Sequence, residues 1–211
     1  MTSLRTPAER LEIFATVLLA AATVATAWCG YQATRWNGEQ AKSAGRTSAL
    51  RIDAARAQGL AEAQTQVDVA TFSQWVNAYA RNETPLAEFY FARFRKEFKP
   101  AVNAWLATKP LQTPNAPLTP FAMPRYRLAA AAEAARLDAQ AEESAATVLQ
   151  NIQNASNYVL GVVLFAIALF FAGMTAKLQT TMLRRVLLGF GVVVFIGAVA
   201  WTATLPISIS I

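Results

Sequence analysis

Three uninterrupted apolar runs dominate the pattern along the chain: residues 13–31 (IFATVLLAAATVATAWCGY), 158–176 (YVLGVVLFAIALFFAGMTA) and 186–205 (VLLGFGVVVFIGAVAWTATL). None contains Asp, Glu, Lys or Arg. Each approaches the roughly 20 residues that cross a hydrocarbon core about 30 Å thick. One such run suits a buried core helix; three together predict membrane spans. The polar stretch 32–157 between the first two reads as helical too. Proline is absent between Pro7 and Pro85, and Val69, Phe72, Val76 and Tyr79 follow the helical 3-4-3 spacing. The pattern predicts a helix over 32–82, stopped at Asn82 to Pro85. Thr84 and Pro85 then supply the N-cap and first turn of a helix over 85–98, resuming after Pro100 as far as Thr108. Residues 109–124 (KPLQTPNAPLTPFAMP) are punctuated by proline and predict no regular helix. From Tyr126 the chain is helical again, into the second apolar run.

The predicted fold class is therefore all-α and integral to a membrane. It has a tail (1–12), an N-terminal span (13–31), a long helical stalk or hairpin domain (32–157) and a C-terminal two-span hairpin (158–176 and 186–205). A basic loop (177–185) joins the last two spans, and 206–211 form the C-terminal tail. A cleaved signal peptide competes for the first run, because Arg5 and Arg10 precede it and Ala25-Thr26-Ala27 resembles a cleavage site. Glu9, Glu12 and the length of the run favour its retention as a span.

Two long helices rooted at neighbouring points should pair antiparallel. Setting Tyr31 opposite Tyr158 brings Arg46 to Glu143, Arg51 to Asp138, Asp53 to Arg136, Arg56 to Glu133 and Glu62 to Arg127. Each pair is opposite in sign. The positions do not share one helix face, so they argue for a register rather than for five salt bridges. The first helix also carries small residues at seven-residue intervals: Ala20, Ala27, Thr34, Ala41, Ser48 and Ala55. A second such column holds Gly38, Gly45, Ile52 and Gly59. Small side chains let helix backbones approach closely and mark packing faces in membranes. The first column is a candidate packing interface, with either the same chain or a second copy as its partner.

Charge refines the topology. Arg5 and Arg10 in the tail and Lys177, Arg184 and Arg185 in the basic loop place both segments in the cytoplasm under the positive-inside rule. Arg35, Lys42 and Arg46 after the first span argue the other way. The resulting expectation is an extracytoplasmic central domain. Trp28, Tyr31, Tyr158 and Trp201 fall at the three span ends expected on that side, as an aromatic belt requires. The net charge of +6 is formally compatible with nucleic acid, but the basic loop lies between apolar runs, which makes anionic lipid the expected partner and excludes nucleic acid.

Charged residues are only 15% of the 211, histidine is absent and Cys29 is the single cysteine. Internal disulfides, Cys/His metal centres and histidine-dependent triads are thereby excluded. Asp53, Glu62, Asp68, Glu133, Asp138, Glu142 and Glu143 are numerous enough to suggest a carboxylate centre. A helical-bundle di-iron site would want Glu-x-x-His, however, so cation-paired helix faces explain these acids better. No glycine-rich phosphate loop is present, and no cofactor is expected. Residues 88–99 (EFYFARFRKEFK) interleave aromatics with Arg93, Arg95, Lys96 and Lys99, a candidate contact for an anionic surface. The plainer reading is an amphipathic helix with Phe91, Phe94 and Phe98 buried.

The strings ATVATAWCGYQATRWNGEQA, TQVDVATFSQWVNAYA, AEFYFARFRKEFKPAVNAWLATKPL and APLTPFAMPRYRLAA resemble a family of uncharacterised bacterial three-span membrane proteins. The resemblance covers most of the chain. It implies a multi-pass protein of the bacterial cytoplasmic membrane with the same span, domain and hairpin layout, and it carries no activity or functional residues. The expectation is a non-enzymatic membrane protein that self-associates or binds an unidentified protein partner. The alternative is a homo-oligomeric channel or transporter component, with Thr16, Thr23 and Thr26 lining a polar path.

Overall fold

The computed structural model describes residues 7–110 and 112–209. Residues 1–6 of the predicted tail, Leu111 of the proline-rich loop and the final two residues lie outside the described residues. All secondary structure among the described residues is helical: α1 (Pro7–Ala80), α2 (Thr84–Arg93), α3 (Lys99–Ala107), α4 (Ala129–Met174) and α5 (Thr181–Ala203). Single 3₁₀ turns lie at Pro120–Ala122 and Thr175–Lys177. Three helices, α1, α4 and α5, are long and apolar enough to cross a membrane.

The predicted first span and the helix after it form one element of 74 residues. Its glycines stay helical, because none takes a positive φ and no proline interrupts the ladder. α1 ends where Asn82 adopts φ 57° and reverses the chain, a left-handed conformation that asparagine tolerates better than most residues. The next helix differs from the expectation over 85–98. Its N-cap is Glu83, and it stops at Arg93 because Phe94 is extended (φ −57°, ψ 141°). The aromatic spacing at 91, 94 and 98 looks helical, but tertiary packing overrides it. Phe94 and Phe98 both enter the core, and Pro100 restarts the chain as the first turn of α3. At the other end α5 begins at Thr181, so Arg184 and Arg185 lie in its first turns rather than in a loop.

The chain divides into two compact units, Met1–Gly45 with Ser144–Ile211, and Arg46–Glu143. In the first, α1 packs on α4 and α5 through two apolar clusters. One joins Cys29 and Ala33 to Tyr158, Phe165 and Ala198; the other joins Ala15 and Leu18 to Ala172 and Leu188. Gly161 is what allows the approach, since a Cβ there would lie 2.9 Å from Thr202 Cγ2 and 3.1 Å from Cys29 Sγ. The chain after α5 folds back: Gln32 Oε1 accepts from the Ser208 amide at 3.0 Å. Trp36 Nε1 and the Tyr158 hydroxyl both donate to the Pro206 carbonyl at 3.2 Å.

In the second unit, α1 and α4 form an antiparallel pair capped by an aromatic core. Arg51, Ala54, Ala55 and Gln58 line one cleft with Asp138, Ala135, Ala134 and Ala131, the register that the Tyr31–Tyr158 alignment predicts. In three of the five pairs, Asp53/Arg136, Arg56/Glu133 and Glu62/Arg127, the charges are engaged locally rather than across the helices. Arg56 pairs with Asp53 at 3.2 Å and Arg136 with Glu133 at 2.6 Å, each along its own helix. Gln58 donates to Glu62, and Arg127 donates to the Pro124 carbonyl. Such exposed pairs are worth about 0–1 kcal/mol, so small apolar contacts such as those of Ala54, Ala61, Ala134 and Ala141 hold the pair.

Candidate interaction surfaces

The core of the second unit accounts for most of the chemistry-bearing side chains. Phe72 and Trp75 of α1 meet Phe94, Phe98 and Trp105, with Phe121 and Tyr126 packed against them. The Phe98 and Phe121 rings stack at 5.1 Å, and Phe72 meets Trp105 edge-on at 5.4 Å. Each fully buried large side chain contributes about 1.5–3 kcal/mol. Among these rings lies Asp68, with a side chain only 1% exposed. Arg95 grips it in a fork, Nε to Oδ1 at 3.0 Å and Nη2 to Oδ2 at 3.2 Å. The Tyr126 hydroxyl bridges Asp68 Oδ2 and Thr65 Oγ1, both at 3.2 Å. Arg95 Nη1 reaches Glu97, and the other Glu97 oxygen accepts the Ala129 amide at the start of α4.

Both Asp68 oxygens accept hydrogen bonds, and the bond to Asp68 is the main cause that raises the Arg95 guanidinium pKa. The described residues contain no group of three or more Asp, Glu, Cys or His side chains placed to hold a metal. Asp68 is therefore not one acid among cation-paired outer faces. The column of positions that holds Ala54 and Ala61 also holds Asp68 and Trp75, seven residues apart throughout. An acid buried in a core column calls for a cationic partner, and the sequence showed the acid without showing that its column is the buried one.

The four candidate anionic-surface cations have different partners. Arg95 is committed to Asp68 and Glu97. Arg93 lies 3.4 Å over the Phe89 ring, and Lys99 donates to the Ala92 carbonyl. Lys96 is exposed. Of the four, only Arg95 is held in an ion pair within 4 Å among the described residues.

The candidate packing interface has a different fate. Ala20, Ala27, Thr34, Ala41, Ser48 and Ala55 are all exposed, and Ala55 also borders the α1–α4 cleft. The side chains that α1 does bury include Ala33, Thr47, Ala54, Ala61, Asp68 and Trp75. Their column precedes the small-residue column by one position, a rotation of about 100° around the helix. Gly38, Gly45 and Gly59 face open space, with nothing within 4 Å of where a methyl group on each would sit. The intrachain pairing thus leaves both small-residue columns uncovered. Thr16, Thr23 and Thr26 donate their hydroxyl hydrogens to the carbonyls of Glu12, Leu19 and Ala22, four residues back.

Compared with known proteins, the sequence matches no family, no curated protein and no solved structure.

Proposed function

We propose that this is a non-enzymatic, multi-pass membrane protein that self-associates through the outer face of α1. The observation that carries the reading is the exposure of all six small residues from Ala20 to Ala55 while the hairpin uses another column. In lipid there is no hydrophobic force between helices, so association depends on close packing at such faces. The membrane reading itself is supported by three helices of sufficient length and apolar character. α1 far exceeds the roughly 20 residues a span needs, so most of its second half stands in water beside α4. The channel or transporter alternative is weakened by the threonine hydroxyls, whose hydrogens are already spent on their own helix.

The test is mass measurement in nanodiscs with helicity followed in parallel. Ala27→Leu and Ala41→Leu together shift the assembly towards monomer with helix content unchanged, because neither side chain is packed in the chain itself. Ala54→Leu and Ala61→Leu, inside the α1–α4 seam, instead lower thermal stability. A wild-type chain that is monomeric at every concentration ends the self-association reading and the oligomeric channel reading with it.

The proposed topology puts the N-terminal segment and the α4–α5 connection in the cytoplasm and the second unit outside. Single cysteines at Ser3, Gln179 and Asn115 in a Cys29→Ser background report it. Only Asn115→Cys is expected to react with an impermeant thiol reagent in intact cells; reaction at Gln179→Cys with protection of Asn115→Cys inverts the arrangement.

A further inference from the structure

At one end of the first unit the N-terminal turns of α1 and α5 frame a groove of about 410 Å³ lined by Arg10, Leu11, Phe14, Arg185, Leu188, Gly189 and Val192. Its chemistry is unbalanced in one direction. Both helices present the positive end of their dipole here, where a cation is locally unfavourable and an anion is favoured. Each nevertheless places an arginine within its first turns; the first turn of α5 has no acid, and Glu9 in the first turn of α1 does not line the groove. No ion pair within 4 Å involves Arg10 or Arg185 among the described residues. The rest of the lining is apolar, and Gly189 is exposed with nothing within 4 Å of where a methyl group on it would sit.

We infer that this groove binds an anionic phospholipid, the phosphate headgroup between Arg10 and Arg185 and an acyl chain along Leu11, Phe14, Leu188 and Val192. The inference rests on the membrane reading above. Two guanidinium groups supply charge-assisted donors suited to phosphate oxygens, and basic pockets between membrane helices are suited to such headgroups. A zwitterionic lipid fits the apolar walls equally well but brings its own cation to the arginines, so the groove discriminates by charge. A free phosphate satisfies the arginines and leaves the apolar walls unused.

The full chain in non-ionic detergent is titrated with palmitoyl-oleoyl phosphatidylglycerol, with the matching phosphatidylcholine, and with glycerol 3-phosphate, and bound molecules are counted by native mass spectrometry. Phosphatidylglycerol is expected to bind at least tenfold more tightly than phosphatidylcholine. Arg10→Gln and Arg185→Gln each weaken it about fivefold, and together roughly thirtyfold. Gly189→Leu fills the groove without altering charge and abolishes lipid binding while sparing any weak glycerol 3-phosphate binding. Circular dichroism verifies each variant's fold, and Gly189→Leu decides if the arginine variants fail to fold. Equal binding of the two lipids, an unchanged preference in the double variant, or displacement of phosphatidylglycerol by equimolar glycerol 3-phosphate overturns the proposal. Release of the wild-type chain from membranes by alkaline carbonate sinks the membrane reading; retention without lipid preference sinks only this inference.

Discussion

At the scale of single residues, the Asp68–Arg95 fork is the most consequential interaction of the second unit. Asp68 is buried while the Arg95 side chain is 24% exposed, so removing one partner costs about 2–3 kcal/mol, less than for a fully buried pair. Asp68→Asn and Arg95→Met are each expected to lower the unfolding free energy by that order, read by near-ultraviolet circular dichroism of the surrounding tryptophans. Tyr126 gives the same site a pH signature. Burial is the main reason its phenol titrates above the ordinary range, with the Asp68 charge adding to the effect. An unfolded phenol loses its proton near pH 10 while the folded one keeps it, so stability falls as pH rises above 10. The contribution is intact below that value and lost once the pH passes the raised one. Absorbance at 295 nm follows the ionisation, and Tyr126→Phe flattens the alkaline decline. These roles were partly legible: the sequence showed the acid at Asp68, but not that its column is the buried one. Which cation answers it was not legible either, because Arg95 is 27 positions away and reaches Asp68 only after α2 stops at Arg93.

At the scale of elements, glycine positions separate the packed faces of the helices from the open ones. Gly59 meets nothing within 4 Å, so Gly59→Ala relieves the cost of a helical glycine and raises stability by about 0.5–1 kcal/mol. Gly161 sits at the meeting of α4 with Cys29 and Thr202. Gly161→Ala pushes into the β-branched Thr202 and costs about 1–3 kcal/mol. Thermal unfolding of the two variants in detergent, followed at 222 nm, should move in opposite directions. The length of α1 was readable from the absence of proline, and the end of α2 was not. Phe91, Phe94 and Phe98 keep helical spacing whether or not the chain between them is helical. Only the three-dimensional aromatic core decides that Phe94 turns out of the helix.

For the whole molecule, the sequence revealed the three apolar helices, the antiparallel pairing and its register, since both tyrosines anchor the alignment and the small residues permit it. It could not say which α1 column the hairpin uses. The two columns differ by a single position, and both are rich in alanine. The buried one is identified by its exceptions, Thr47, Asp68 and Trp75, because bulky or charged side chains there find partners in the core. Exposure of the other column is what turns a compositional bias into a testable interface.

The first unit is assembled from the two ends of the chain, while Arg46–Glu143 is continuous. During synthesis the first apolar helix emerges long before α4 and α5, with the whole of the second unit between them. At about 5–20 residues per second, its packing face at Ala15, Ala22, Cys29 and Ala33 waits on the order of 7–35 s for Phe165, Ala172 and Ala198. The second unit needs no such delay, since every residue of its core precedes α4's apolar half. Stalling translation once Glu143 has cleared the ribosome but Phe165 has not should therefore yield nascent chains whose Trp75 and Trp105 are already protected from oxidation while Cys29 still reacts with a membrane-permeant maleimide. Completion of the chain should then close Cys29 off.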